Sequence, residues 1–243
     1  MNGFYLLIVI HEVNDTPRTR RRDANRERIL DAALELVAAG GLEGLSMSKL
    51  AGAVDYTPGA LYRYFDSKDA LLSQLVARTL EGLRARLDAA VARLPGRASP
   101  FARVFALVQG YRDFARVEPH RFALLAMTMA DPRVLLQAPE DAEPVALAIM
   151  AAMQPLAHAL GEAAEAGALV PGNVAERTLA TFASLEGALL LSKQARRVPE
   201  LFDVDRLAVY AIRSLLLGWG AKPRAVDAGI ARAAATVATE VEA

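Results

Sequence analysis

Apolar residues recur every three to four positions along most of the chain, which is the period of an amphipathic helix. This pattern, with its Pro and Gly breaks, predicts helices at about residues 25–39, at two short stretches within 47–66, and at 67–95, 101–117, 120–129, 144–166, 174–197 and 204–220. We expect Gly40–Gly41 to end the first helix and Pro155 to kink a later one. Residues 225–241 are alanine-rich and fit a short helix or a frayed tail. Because β-branched runs are scarce, the predicted fold class is all-α.

The segment Ser46–Phe65 predicts two short helices joined by a tight turn. Ser46 is a good N-cap for the first helix, and Thr57 followed by Pro58 is a good start for the second. Asp55 stands at the turn, and Asp tolerates the left-handed backbone conformation. The inward positions are Met47, Leu50, Ala51, Val54, Leu61 and Phe65. The second helix keeps a small-residue N-terminus and outward tyrosines, which suit the major groove of DNA.

The residues from Ile29 to Leu72 resemble the N-terminal domain of tetracycline-repressor (TetR) family transcriptional regulators. The resemblance rests on stretches that occur in order at unbroken spacing: ILDAALEL from Ile29, Gly41, SMSKLA from Ser46, and GALYRYFDSK from Gly59 followed by Leu71 and Leu72. It covers 44 of the 243 residues, somewhat under a fifth of the chain. Two positions depart from the family pattern, since Asp55 stands where glycine is usual and Tyr56 where a small aliphatic residue is common.

The resemblance implies a three-helix, helix-turn-helix DNA-binding domain that a long helix joins to a helical C-terminal ligand-binding and dimerisation domain. On this chain the DNA-binding domain is residues 23–83, with the helix-turn-helix at 47–66. Residues 84–220 would bind an effector and dimerise. Residues 1–22 would form a disordered or basic N-terminal arm, and residues 221–243 an alanine-rich tail.

The same resemblance implies which side chains contact DNA. Ser46 would cap its helix and offer its hydroxyl to a phosphate. The residues expected at the surface facing base edges are Ser48, Thr57, Pro58, Gly59 and Ala60. The residues expected to bind phosphates are Tyr62, Tyr64 and Lys68.

The formal net charge of the chain is zero, so the whole molecule has no bulk attraction to nucleic acid. Arginines nevertheless cluster before the helix-turn-helix, at Arg18, Arg20, Arg21, Arg22, Arg26 and Arg28. Such an arm commonly contacts phosphates or enters the minor groove, whereas the alternative is a solvated, disordered basic tail. Arg28 is predicted to lie on the first helix. The chain has no cysteine, which favours a cytoplasmic location.

The run Phe4–Ile10 is strongly apolar. It is too short to span a bilayer, and it lacks the basic residues and cleavage site of a secretory signal. Either the segment reflects a misplaced translation start, with Val9 or Val13 as alternative initiators, or it is a disordered extension that could pair or aggregate. No function is assigned to this segment.

The predicted helices at 174–197 and 204–220 carry broad apolar stripes that one antiparallel hairpin cannot cover. A second copy packed across a two-fold axis would cover them in a four-helix interface, as the family resemblance implies. The alternative is that both helices simply cover the intrachain core. The predicted dimer residues are Leu179, Phe182, Leu189, Leu207, Tyr210 and Leu215.

The middle helices are rich in Phe, Met and Leu, and family members hold a small-molecule pocket there. An apolar or amphipathic effector would suit such walls, although any single one of these residues is more often plain core than a ligand contact. The predicted pocket residues are Phe101, Phe105, Tyr111, Phe114, Phe122, Met127 and Met150. His120 and His158 do not stand in a metal-ligand spacing, so no metal or cofactor is implied.

The chain shows no Walker loop, no G-x-S-x-G and no cysteine nucleophile, so an enzyme is not expected. The expected function is that of a ligand-responsive transcriptional regulator, a repressor, which binds a pseudo-palindromic DNA operator as a homodimer and leaves it when a small molecule binds. The alternative is a lipid-binding or accessory protein with the same helices that does not read DNA. Retention of the helix-turn-helix residues and the arginines together favours the regulator.

Overall fold

The computed structural model describes residues 16–130, 139–192, 198 and 203–241. Regular structure in these ranges is helical throughout, which confirms the predicted all-α fold class. The helices are α1 (Pro17–Gly44), α2 (Met47–Ala53), α3 (Pro58–Leu61), α4 (Lys68–Ala92), α5 (Pro100–Val117), α6 (Pro119–Ala130), α7 (Pro139–Glu165), α8 (Val174–Leu190), α9 (Val204–Gly218) and α10 (Pro223–Val241). The chain divides into two compact units, residues 1–68 and 69–243.

Helix α1 begins earlier than the apolar pattern predicted. The Thr16 hydroxyl accepts a hydrogen bond from the backbone N–H of Thr19 at 3.2 Å, and Pro17 takes the first helical position. Residues 18–22, which were predicted to be part of a basic arm, are therefore helical, while residues 1–15 of that arm lie outside the described residues. Gly41 has a φ of 65° and interrupts the helix at its predicted end.

The second unit begins with α4, a continuous helix of 25 residues. Its predicted apolar stripe is buried: Leu71, Leu72, Leu75, Val76, Leu80, Leu83 and Leu87. The domain boundary predicted after residue 83 lies inside this helix, whereas the two compact units divide between Lys68 and Asp69. Helix α4 runs unbroken past residue 83, so no change in the apolar period marks that residue.

Residues 223–241, part of the predicted alanine-rich tail, form α10, which packs along α5. Val226 and Ala233 are fully buried. The approach is close, because a Cβ at Gly229 would lie 2.8 Å from the Cβ of Phe101. Small residues let the two helices come together, so this segment belongs to the core of the second unit.

Helix α7 continues through both Pro144 and Pro155, and α8 ends at Leu190. Residues 193–197 of the predicted longer helix lie outside the described residues. By length and composition alone, α7 is apolar enough to cross a membrane, which by itself is weak evidence for a membrane span. One face of α7 lines a cavity in the second unit, which the next subsection describes.

Candidate DNA-binding surface and effector cavity

The caps that the sequence predicted hold the helix-turn-helix in place. The Ser46 hydroxyl accepts from the backbone N–H of Lys49 at 3.2 Å, and the Thr57 hydroxyl accepts from that of Ala60 at 3.2 Å. Leu61 and Phe65 are buried beneath the second helix. Each short helix is therefore anchored by a cap at its start and by apolar side chains on its inner face.

The turn between α2 and α3 takes the predicted left-handed conformation. Asp55 has a φ of 57°, and it is followed by a hydrogen bond from the N–H of Tyr56 to the carbonyl of Ala51 at 2.9 Å. The Arg28 guanidinium donates to the Val54 carbonyl at 3.3 Å and lies 5.3 Å from the centre of the Tyr56 ring. Arg28 and Tyr56 together brace the turn, which is how the chain accommodates an aromatic residue there.

The arginines predicted to lie in a basic arm divide between internal contacts and the surface. The Arg26 guanidinium lies 5.5 Å from the centre of the Phe65 ring, and Arg22 donates to the Arg63 carbonyl at 3.4 Å. Arg18 and Arg21 are exposed along α1. The exposed arginines thus lie on a helix.

The start of α3 presents an open surface. Ser48, Thr57, Pro58 and Gly59 are exposed, and Ala60 is half-buried. A Cβ built on Gly59 would meet no atom within 4 Å, so another molecule can approach this backbone closely. Helix α3 itself has only four residues, and it continues into turns through hydrogen bonds from Tyr64 and Phe65 to the Leu61 carbonyl.

The three residues predicted to bind phosphates differ in their surroundings. Tyr62 is 49% exposed. Tyr64 is half-buried, since its hydroxyl accepts from Asn25 at 3.3 Å and its ring stacks on that of Tyr56 at 6.0 Å. Lys68 donates to the Leu42 carbonyl at 3.4 Å. Tyr62 is therefore the freest of the three to reach a phosphate, while the other two already bind within the unit.

The second unit contains a partly open cavity of about 350 Å³, within the usual range of ligand pockets. Helices α4, α5, α6, α7 and α8 form its walls. The lining residues are Leu72, Val76, Leu80, Leu83, Leu87, Leu107, Val108, Tyr111, Leu125, Thr128, Met129, Ala142, Val145, Ala146, Ile149, Ala152, Met153, Leu156, Thr181, Phe182 and Leu185. These walls are mostly leucine, valine, alanine and methionine, which suits an apolar ligand body.

Of the predicted pocket residues, Tyr111 lines this cavity. Phe101, Phe105 and Phe114 are buried in the core away from it, and Met150 is 67% exposed. Phe122 and Met127 are half-buried outside the lining, although the Phe122 ring meets the Tyr111 ring edge-on at 6.1 Å. The predicted pocket residues lie on α5, α6 and α7, whereas leucines of α4 and Phe182 of α8 also line the cavity. The apolar stripe of α4 is visible in the sequence but predicts a connecting helix. Phe182 is visible in the stripe of α8 but is predicted to lie at the dimer interface.

Polar groups at the cavity are few among the described residues. The Thr128 and Thr181 hydroxyls donate to backbone carbonyls of their own helices, at 2.8 Å to Leu125 and 2.8 Å to Arg177. The Tyr111 hydroxyl donates to Glu186 Oε2 at 2.5 Å. Burial raises the pKa of the Glu186 carboxyl, and the Tyr111 hydrogen bond partly opposes this; burial beside Glu186 also raises the pKa of Tyr111.

The predicted dimer residues fall into two groups. Leu179, Leu207 and Tyr210 are exposed apolar side chains on α8 and α9, and Leu190 joins them. Leu189 is buried inside the chain, Leu215 is half-buried, and Phe182 packs edge-on against Tyr111 at the cavity. The exposed group marks an apolar surface on the packed pair α8–α9. In the part of the chain that the structure describes, no three potential metal ligands cluster.

The first unit is a helix-turn-helix domain. It has two short capped helices, a turn held by Arg28 and Tyr56, and a second helix whose start is exposed. Residues 29–75 match the sequence profile of the bacterial regulatory proteins of the tetR family. The proteins compared below that share this part of the sequence include a transcriptional repressor and a transcriptional regulator.

Two curated relatives illustrate how far the sequence similarity extends. The chain is 44% identical over 72 residues to the HTH-type transcriptional repressor KstR of Rhodococcus jostii, which covers 30% of this chain and 32% of that protein. It is 32% identical over 93 residues to the HTH-type transcriptional regulator BetI of Rhizobium meliloti, covering 38% and 44% respectively. The chain thus matches about a third to under a half of the length of these relatives.

Solved structures resemble the chain over most of its length. A protein of unknown function from Rhodococcus sp. RHA1 matches with a TM-score of 0.63 and 26% identity, covering 80% of this chain and 94% of that one. The regulator FadR of Bacillus subtilis, in complex with stearoyl-CoA, matches with a TM-score of 0.62 and 16% identity, covering 79% and 98%. At that identity the second match shows the fold alone.

Proposed function

We propose that this protein is a ligand-responsive transcriptional repressor that binds a pseudo-palindromic operator as a homodimer and is released by a small apolar or amphipathic effector. The observation that carries the proposal is the exposed N-terminal surface of α3, from Thr57 to Gly59, above the buried Leu61 and Phe65. A helix presented in this way can lay its first residues against base edges in a major groove. The proposed site of action is the cytoplasm.

The exposed residues of the first unit take different proposed roles. Ser48, Thr57 and Gly59 would face base edges, with Ala60 beside them. Tyr62, Arg18 and Arg21 would bind phosphates and so position the helix without reading sequence. Tyr64 and Lys68 would act through their internal hydrogen bonds, by holding the surface in shape.

The cavity supports the proposed response to an effector. Five of its lining residues belong to α4, which follows directly after the helix-turn-helix in the chain: Leu72, Val76, Leu80, Leu83 and Leu87. A ligand packed against this row would move α4 or hold it in place. In a dimer, that change would alter the spacing of the two DNA-binding units, which must match half-sites about 34–36 Å apart. A ligand shifts this equilibrium only as far as it prefers one state.

The experiment that tests DNA binding is a gel-shift titration with the DNA upstream of the gene, using Gly59→Glu. The new side chain meets open space in the fold, but it would place a negative charge against DNA. We expect at least a hundredfold loss of affinity with unchanged thermal stability. Gly161→Glu in α7, where a Cβ also meets no atom within 4 Å, is the matched control and should bind normally. Normal binding by Gly59→Glu would contradict the proposed surface.

A further inference from the structure

Glu186 on α8 is a buried carboxyl group that bonds to Tyr111 of the cavity wall and is not itself one of the lining residues. It is 8% exposed, and its Oε2 accepts the Tyr111 hydroxyl hydrogen bond at 2.5 Å. Its other oxygen, Oε1, is fully buried and has no hydrogen-bond partner in the part of the chain that the structure describes. A buried acceptor without a partner is costly, so it calls for a physical explanation.

The position of this carboxyl group relates it to the cavity. Tyr111, its hydrogen-bond partner, lines the cavity wall. On its own helix, Phe182 one turn earlier and Leu185 directly before it line the same wall. The Tyr111–Glu186 pair thus forms a polar spot behind a wall that is otherwise apolar or, at Thr128 and Thr181, already bonded to backbone carbonyls.

The Tyr111–Glu186 pair offers hydrogen-bond acceptors to a ligand group that comes within hydrogen-bond distance. The Tyr111 hydrogen is already donated to Oε2, which leaves the lone pairs of Oε1 and of the phenol oxygen. When Glu186 is ionised, a ligand carboxylate or phosphate placed here would meet these acceptors with no donor to share. A protonated amine or a hydroxyl would supply the missing hydrogen.

We propose that the effector carries a hydrogen-bond donor, an amine or a hydroxyl group, on its apolar body, and that Glu186 accepts from this donor at the Tyr111 end of the cavity. This inference rests on the proposed function, because it assumes that the cavity is the effector site. The proposal explains the unpaired Oε1, because the ligand would supply its hydrogen-bond donor. Burial raises the pKa of Glu186, and a bound ammonium group would lower that pKa again by restoring a charge partner.

The test compares three ligands that share one apolar body: decylammonium, 1-decanol and decanoate. Titration calorimetry on the full chain should show that decylammonium and 1-decanol bind at least tenfold more tightly than decanoate. Equal binding of all three would overturn the inference while leaving the cavity as an apolar effector site. Binding of none of them would overturn the inference and also remove the cavity from the proposed function.

The variant Glu186→Gln tests the acceptor itself. We expect at least tenfold weaker binding of decylammonium and a smaller loss for 1-decanol, because only the amine loses a charge partner. Glutamine keeps an oxygen for the Tyr111 hydroxyl, and circular dichroism would verify the fold. Glu176→Gln, on the exposed first turn of the same helix, is the matched control and should leave all three affinities unchanged. Unchanged decylammonium binding by Glu186→Gln would exclude Glu186 as the acceptor.

Discussion

Asp55 shows how one residue sets the geometry of the helix-turn-helix. Its φ of 57° is unusual for a residue with a side chain, and Asp is one of the few that adopt it. The exposed position lets the side chain reach solvent while Arg28 holds the neighbouring Val54 carbonyl. The turn is therefore maintained by its surroundings at some local cost in backbone strain.

Replacing Asp55 with glycine should relieve this strain. We expect Asp55→Gly to raise the free energy of unfolding by about 0.5–1 kcal/mol, because glycine adopts positive φ without a steric penalty. Asp55→Val should instead lower it by more than about 1 kcal/mol, since a β-branched side chain is poorly tolerated there. Urea unfolding of both variants measures the two effects. A less stable glycine variant would mean that the aspartate side chain stabilises the turn.

Glu186 should make stability depend on pH. Burial raises its pKa in the folded state, so folding favours the protonated form. The wild-type chain therefore has its full stability below the ordinary glutamate pKa and loses part of it as pH rises through the raised value. Glu186→Gln has no such titration. The variant should match the wild type near pH 4 and exceed it by about 1 kcal/mol near pH 8.

Urea unfolding of wild type and Glu186→Gln at a series of pH values measures this difference. Glu176→Gln serves as the control, because its exposed carboxyl group should give a difference that does not change with pH. A constant difference for Glu186→Gln as well would show that the buried carboxyl titrates normally.

At the scale of elements, α1 combines a structural role with a proposed binding role. Thr16 and Pro17 start it early enough to make the arginines of residues 18–22 helical. Arg22 and Arg26 then contact the helix-turn-helix, while Arg18 and Arg21 remain exposed. A helix holds these exposed charges with less loss of conformational freedom on binding than a disordered arm would.

The arginines of α1 should contribute to the salt dependence of operator binding. Each phosphate contact adds about 0.9 to the slope of log affinity against log salt, so the double variant Arg18→Ala, Arg21→Ala should lower that slope by about 1–2. Affinity should fall similarly on operator and unrelated DNA. Arg97→Ala, which changes an exposed arginine of the second unit, should leave the slope unchanged. A slope that the double variant does not change would mean that both arginines stay solvated in the complex.

At the scale of the whole molecule, the exposed apolar surface of α8 and α9 supports the proposed dimer. Leu179 is 55% exposed and Tyr210 is 66% exposed, on two helices that pack against each other. A two-fold partner would cover the same surface on both copies. Leu189, by contrast, is buried within the chain, so a charge there would destabilise the fold and would not report on assembly.

Charges on this surface should separate the dimer. Leu179→Glu or Tyr210→Glu would bury an unpaired carboxylate twice in a symmetric contact, and we expect monomers by sedimentation and at least a tenfold loss of operator affinity. Leu147→Glu is the matched control, because Leu147 is 57% exposed on α7 and lies outside the cavity wall. It should leave the dimer intact. A Leu179→Glu variant that stays dimeric would place the interface elsewhere.

The sequence by itself determined the local features of this protein. The caps at Ser46 and Thr57 and the turn at Asp55 depend on side chains and backbone within a few residues, so their pattern could be recognised directly. The apolar stripe of α4 could likewise be predicted to be buried, because helical period reveals which face is apolar.

Only the tertiary structure decided what each buried face meets. Periodicity does not distinguish a phenylalanine packed in the core, such as Phe105, from a leucine of α4 that lines a cavity. It likewise could not show that Leu189 faces inward while Leu179 faces outward, or that Glu186 bonds Tyr111 across 75 residues of chain. These outcomes depend on which helices pack together, and that packing is set by contacts between residues far apart in the sequence.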